Sequence, residues 1–313
     1  MSATETAVGV LPLIKPAGPT SHDVVARARR WFPGRRVGHL GTLDPAAAGL
    51  LLVAVGEATR AARFLDPPET IKHYRVWAVF GLETDGDDFD GRVVARQGAA
   101  ALAVEAVARA LAARVGRQSQ VPPNRSAVRV DGRHAYRRVR AGESVTLLPR
   151  EVVVDGAEVL RSRRRPEAVD LLEVLMEVRV RRGAYIRALV RDLGRDLGTG
   201  ACVRALVRGR VGSVVDADGL TLEECDRLAA EHALGARLLA VDRLLADWPV
   251  LEIALDVDGR RVGRGRPAPP GAEGWMRLTS GPDAPAWALG EARGGLWRDV
   301  VRLARMERVG VGG

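Results

Sequence analysis

Residues 170–182, DLLEVLMEVRVRR, alternate: Val174, Met176, Val178 and Val180 fall on one side, and Glu173, Glu177, Arg179 and Arg181 on the other. A period of two predicts a half-buried strand. Gly183 breaks the alternation, and AYIRALVRDLGRDLG then carries Ile186, Leu189, Val190, Leu193 and Leu197 at helical spacing. Tyr185 and Arg187 therefore fall at a strand-to-helix junction. Upstream, GVLPLIK (9–15) predicts a strand and PAGPTS a loop. Ser21, with Asp23 in the first turn, then caps a helix through Val24, Val25 and Ala28 toward Trp31. GEATRAARFL (56–65) and AAALAVEAVARALAARV (99–115) predict helices, HYRVWAVFG (73–81) a strand, and TDGDDFDG (84–91) a solvated acidic turn. From about residue 250 the chain is rich in Gly and Pro, with short strand-like pieces such as WMRLTS and AWALGEA, which predicts a small β-barrel joined near Trp248 and Pro249.

Chain length sets the scale of this organisation. A chain of 313 residues has room for about two domains, and 47% hydrophobic against 28% charged residues describes a globular protein. No stretch approaches the ~20 apolar residues of a membrane span and no basic n-region precedes an apolar run, so a cytoplasmic, unanchored protein is expected. Cys202 and Cys225 stand 23 residues apart without a CxxC, which supports neither a disulfide framework nor a zinc site.

Charge is unevenly spread. The formal net charge is +9, yet residues 117–140 alone carry seven arginines against one aspartate, and residues 179–210 nine against two. Such clustering favours phosphate tracking over a merely solvated face. The chain's only tyrosines, Tyr74, Tyr136 and Tyr185, each lie within two residues of an arginine, a pattern suited to stacking bases beside a phosphate backbone. The stretch 117–140, with its PPN and DG turn signals, predicts an exposed basic hairpin or loop.

Asp44 is the conspicuous acid, set between a Gly-Thr turn and a proline ahead of the apolar run AAAGLLLVAVG. Asp-Pro is a common helix start, with the carboxylate accepting backbone N–H groups. The flanking glycines equally suit a loop built for close backbone approach, and local sequence leaves both readings open. His39 lies five residues earlier. The five histidines show no metal-ligand spacing, and the acidic turn fails the EF-hand pattern at its third, Gly and Glu positions. Dinucleotide, Walker A and GxSxG motifs are missing, so a reaction without cofactor or metal, or no reaction, is expected.

The blocks KPAGPTS (15–21), RVGHLGTLDPAAAGLLLVAVGEATR (36–60), KHYRV (72–76), TDGDDFDG, VPPNRSAVRVDGRHAY (121–136) and RGAYIRALVRDLG (182–194) together resemble the TruB family. These are bacterial tRNA pseudouridine synthases acting on uridine 55 of the TΨC arm, and the resemblance covers roughly residues 9–212. It implies an α+β pseudouridine synthase fold with a mixed, mostly antiparallel sheet over residues 1–248, including a mobile basic insertion at about 117–150. A PUA-like β-barrel over 249–313 follows. It implies Asp44 as the catalytic carboxylate, Arg187 paired with it, Tyr185 assisting proton transfer at C5, and Tyr74 stacking on the flipped base. His39, Lys15 and Arg208 would contact substrate, and Arg125, Arg129, Arg133 and Arg137 the RNA. The implied partner is the T-arm of tRNA, bound by a cytoplasmic monomer without protein partner, membrane, cofactor or metal. A guide-dependent RNA pseudouridine synthase subunit and a non-catalytic tRNA-binding or folding factor are the alternatives. The chain departs from the family pattern at Leu40, at AAAG (46–49), at Arg125, at Cys202 where His is frequent, and at Val207 where Arg is frequent; these bear on RNA affinity more than on chemistry.

Overall fold

The computed structural model describes residues 7–303, apart from 127, 131, 136, 137, 139–142, 144, 254–261, 282 and 283. Along the chain, strand β1 (Gly9–Lys15) leads to helix α1 (Ser21–Trp31), β2 (Val37–Leu40) and β3 (Ala47–Val55). A 3₁₀ turn (Gly56–Ala61) and α2 (Ala62–Leu65) precede β4 (Lys72–Phe80), the hairpin β5 (Leu82–Thr84) and β6 (Val93–Arg96), and α3 (Val104–Ala112). Next come β7 (Gly116–Gln120), the small hairpin β8 (Arg129–Val130) and β9 (Arg133–His134), and the long pair β10 (Arg150–Arg165) and β11 (Ala168–Val180). Helix α4 (Ile186–Asp196), β12 (Ala201–Val211), β13 (Val214–Val215), α5 (Leu222–Ala230) and α6 (Val241–Leu244) complete the larger part.

The main sheet runs β1-β3-β12-β4-β11-β10-β7, with β2 on β3 and β13 on β12. All its pairings are antiparallel except β3 with β12, where Leu206 to Arg208 meet Ala47 to Gly49. The fold is therefore mixed α+β and mostly antiparallel, as expected. The predicted alternation of β11 holds: Val174, Met176, Val178 and Val180 enter the core opposite Ala78, Val76, Tyr74 and Lys72. Leu189, Val190 and Leu193 of α4 and Leu111 of α3 cover that face. The opposite face of β3 packs Leu50 and Leu52 against Phe64, Leu289, Trp248 and Trp275.

Two local expectations need correction, and one open reading is decided. Helix α1 is capped by Thr20, whose hydroxyl and backbone exchange hydrogen bonds with Asp23 in a capping box. Ser21, one residue inside, is left free for a different task described below. The segment after Asp44 is a two-residue turn that feeds β3, so Asp44 caps no helix; the Ala47 N–H donates to the Asp44 carbonyl at 3.1 Å. The β-branched and leucine-rich run after it, buried on both faces, selects the strand. Third, the C-terminal residues form a four-stranded sheet of β14 (Val250–Glu252), β15 (Gly274–Thr279), β16 (Ala288–Arg293) and β17 (Leu296–Arg302), and among the described residues it does not close into a barrel.

Gly49 is where the parallel joint leaves least room. Its φ is +104°, and an added Cβ would stand 2.3 Å from the Arg208 carbonyl oxygen and 2.7 Å from its nitrogen. Both obstacles are backbone, so relief requires parting β3 from β12. Gly49→Ala is expected to lower unfolding free energy by at least about 2 kcal/mol in urea titrations; an unchanged midpoint would contradict this close approach.

Candidate active site

Asp44 sits on the loop between β2 and β3, and three buried side chains fix that loop from behind. The Ser21 hydroxyl donates to the Leu43 carbonyl and accepts from the Leu43 N–H, both at 2.9 Å. Lys15, fully buried, donates from Nζ to the carbonyls of Pro16 at 2.8 Å and Pro45 at 3.1 Å. Arg208, 1% exposed, donates Nε to the Leu50 carbonyl at 2.8 Å and Nη2 to the Gly41 carbonyl at 3.0 Å. Lys15 and Arg208 therefore direct their donors to the backbone of the loop and of β3, whereas the family resemblance implies contacts to substrate.

Arg187 approaches the same loop from the first turn of α4. Its Nε donates to Asp44 Oδ2 at 2.8 Å, Nη1 to the Gly86 carbonyl at 2.8 Å and Nη2 to the Arg125 carbonyl at 2.9 Å. Asp88 lies 3.6 Å from Nη1. The guanidinium is 5% exposed, whereas the Asp44 side chain is 35% exposed, so the pair presents its carboxylate outward and keeps its cation inside. Burial opposes the charge on Arg187, but Asp44 and then Asp88 and Asp87 hold its pKa above the ordinary value.

Tyr185 is the N-cap residue of α4, its backbone tied by Gln120: the amide oxygen accepts from Tyr185 N–H at 2.8 Å and the amide nitrogen donates to its carbonyl at 3.1 Å. Burial, and then the nearby charge of Asp44, push the Tyr185 phenol upward. Tyr74 projects from the helix-covered face of β4, with Arg208 Nη1 at 3.5 Å from its hydroxyl. His39 on β2 meets His22 edge-on at 5.4 Å; its pKa is lowered by burial and then by His22 and Arg208, and its Nδ1 has no hydrogen-bond partner.

Several site residues escaped the sequence reading. The acidic turn is half-buried, not solvated: Asp87 meets Arg191 Nη1 at 3.1 Å, and Asp87 and Asp88 are both held above the ordinary carboxylate range, chiefly by burial. Arg191 also donates to the Val121 carbonyl at 2.8 Å. Phe89 and Arg204 line the cleft beside Asp44, Ala46 and Asp88. Of the nine arginines in 179–210, Arg187, Arg191 and Arg208 thus point inward. In the basic insertion, β7 joins the edge of the main sheet, exposed Arg125 pairs with Asp85 at 3.0 Å, and Arg133 pairs with Glu143 at 3.0 Å. Arg129 lies by its backbone in β8, while Tyr136 and Arg137 fall outside the described residues.

This fold resembles solved structures at low sequence identity. A Cbf5-Nop10-Gar1 complex matches with TM-score 0.63 at 24% identity over 96% of this chain and 84% of that one. An H/ACA RNP bound to a substrate RNA matches with TM-score 0.64 at 22% identity, over 96% and 85%. At sequence level, residues 29–186 match the family described as TruB family pseudouridylate synthase (N terminal domain). The tRNA pseudouridine synthase B of Thermobifida fusca is 42% identical over 95% of this chain and 98% of that protein. That of Leifsonia xyli is 47% identical over 65% and 67%, and that of Mycobacterium bovis 44% over 68% and 69%. The chain belongs to the TruB family of pseudouridylate synthases. Among the described residues no helix is long and apolar enough to cross a membrane, and no cluster of three or more His, Cys, Asp or Glu could hold a metal ion.

Lys15 supplies a test of the loop support. Burial lowers its pKa from 10.5 to about 8, partly offset by Asp44. Between about pH 8 and 10.5 the unfolded state therefore binds more protons at this group, so its contribution to stability rises with pH. The unfolding free energy of wild type minus that of Lys15→Met is expected to grow over that window; a flat difference would contradict the burial of a charged Lys15.

Proposed function

We propose that this protein converts uridine 55 in the TΨC arm of tRNA to pseudouridine, with Asp44 as the catalytic carboxylate. One observation carries the reading: a carboxylate on a backbone-pinned loop, oriented by a buried guanidinium, with Tyr74 and Tyr185 on the elements beside it. The names of its relatives supply the substrate class. A uridine within the folded T-loop must leave its stack to be reached, at a cost of a few kcal/mol, and stacking on Tyr74 offsets part of that cost. The N1–C1′ bond breaks, the base turns, and C5 bonds to C1′. The proton lost from C5 balances the one gained at N1, so atoms and electrons close without an oxidant or reductant.

Asp44 acts on the ribose–base unit. Arg187 holds its carboxylate in one orientation, and Tyr185, kept a neutral phenol by burial, relays the C5 proton, its oxygen accepting that proton as it passes its own to water. Lys15 and Arg208 serve as positioning residues that stiffen the Asp44 loop, and the His39 ring, packed edge-on against His22, lies on the side of the displaced nucleotides. Arg125, Arg129, Arg133 and Arg137 of the insertion contact the RNA backbone. Residues 1–248 form the catalytic domain and 249–313 a PUA-like unit, acting in the cytoplasm as a monomer without a protein partner.

Incubation with an unmodified tRNA transcript followed by pseudouridine mapping is expected to show conversion at position 55; persistence of uridine there while tRNA binds would overturn the assignment. Asp44→Asn should abolish conversion with binding intact, which separates an enzyme from a folding factor. Tyr74→Ala should cost about 1–3 kcal/mol in kcat/KM. Tightness should fall steeply with salt, and neutralising Arg133 should reduce that slope by about one.

A further inference from the structure

We infer that the face which β4, β10, β11 and β12 turn away from the helices is a second RNA-contact surface, continuous with the Asp44 cleft, over which the part of the RNA outside the base pocket lies. This rests on the RNA-substrate reading above. Strand register defines the face. Trp77 stands opposite Leu175 and Ala205, Arg75 opposite Glu177 and Val207, and Arg163 opposite Glu173. All lie on the side of β4, β11 and β10 away from the helices; Leu82 of β5 covers the end of this face at Val79 and Cys202, and its stretch from Trp77 to Arg75 is left partly or fully exposed. Val207 is 42% exposed there.

A connected strip of side chains joins this face to the cleft. Arg204 lines the cleft with Phe89, 5.7 Å from that ring, and also bonds Glu173. Glu173, 4% exposed, accepts in addition from Arg163 at 2.6 Å and Arg165 at 2.7 Å. Arg163 in turn lies 4.6 Å over the Trp77 ring. One buried carboxylate thus fixes three guanidiniums in place; with Glu167 3.6 Å from Arg165, they keep a surplus of one positive charge.

Around this raft stand exposed Arg75, Arg161, Arg179 and Arg210, with Glu158, Glu167 and Glu177 as the further acids, Glu177 lying 3.5 Å from Arg75. Here arginines outnumber acids, an aromatic lies at the centre, and the guanidiniums are pre-ordered. Phosphates and unstacked bases fit that chemistry, since both Trp faces and guanidinium planes stack on bases.

The test uses the full chain with Arg75→Glu, Arg161→Glu and Arg179→Glu combined, residues outside the proposed catalytic machinery; the three glutamines serve if the glutamates fail to fold by circular dichroism. Fluorescence anisotropy with full-length unmodified tRNA is expected to show a Kd raised about tenfold and a shallower salt slope, by about two to three. Turnover of a short T-arm hairpin should be unchanged. An aryl azide on Arg161→Cys is expected to crosslink full-length tRNA. Wild-type affinity in the triple variant, or an adduct from Arg133→Cys but none from Arg161→Cys, would overturn the proposal and leave the face to a non-RNA partner. Failure of the wild type to bind tRNA at all would overturn the substrate reading as well, whereas failure to convert position 55 with these binding results intact would overturn that reading alone.

Discussion

The charge of Arg187 is the constraint around which the cleft is organised. A guanidinium withdrawn from water needs acceptors for its donors and a counter-charge close by. Arg187 finds them on three separate stretches of chain: the Asp44 loop, the acidic turn at Gly86 and Asp88, and the stem of the basic insertion at Arg125. The Asp44 loop is also anchored by Leu43 in the core and by Ser21, Lys15 and Arg208 behind it. Joined through one cation on a helix whose Ile186, Leu189, Val190 and Leu193 are buried, the three stretches become parts of a single rigid edge. Removing any acceptor leaves a buried charge short of a partner, so geometry at the cleft is coupled to all three loops.

The arginines of this chain divide into two populations that composition cannot tell apart. Arg187, Arg191 and Arg208 lie inside and bind backbone carbonyls or buried aspartates. They are structural cross-links between distant loops. Others, such as Arg75 and Arg161, stand in water on an open sheet. Basic charge density by itself therefore overstates how much cation is available to a polyanion, and the two populations have to be separated by burial before the electrostatics of the surface mean anything.

Much of the architecture was legible because periodicity reports burial directly. The β11-to-α4 switch, which carries Tyr185 and Arg187, follows from a change of period from two to about 3.6. The resemblance to the TruB family, later shown by the family match, brought Asp44 and Arg187 into one hypothesis that local sequence could not form. What stayed illegible depends on partners remote in sequence. Asp87 looks solvated until Arg191, 104 residues on, is folded against it. Asp44 before a proline reads as a helix cap because turns and caps use the same residues; the buried strand that follows decides otherwise. Ser21 and Thr20 differ by one position at the cap, and only the demand of the Leu43 backbone for a hydroxyl distinguishes them.

The single parallel joint in the main sheet has a kinetic consequence. Antiparallel neighbours such as β10 and β11 close locally, through a hairpin. The β3–β12 pair closes only after everything between them has found its place, and the ion pair it frames spans 143 residues. Loop-closure entropy makes such contacts late ones. During synthesis the loop bearing Asp44 leaves the ribosome early but lacks its Arg208 backing until β12 follows. The cleft is thus among the last features of the molecule to mature, and a truncated nascent chain carries the acid without the frame that would make it a site.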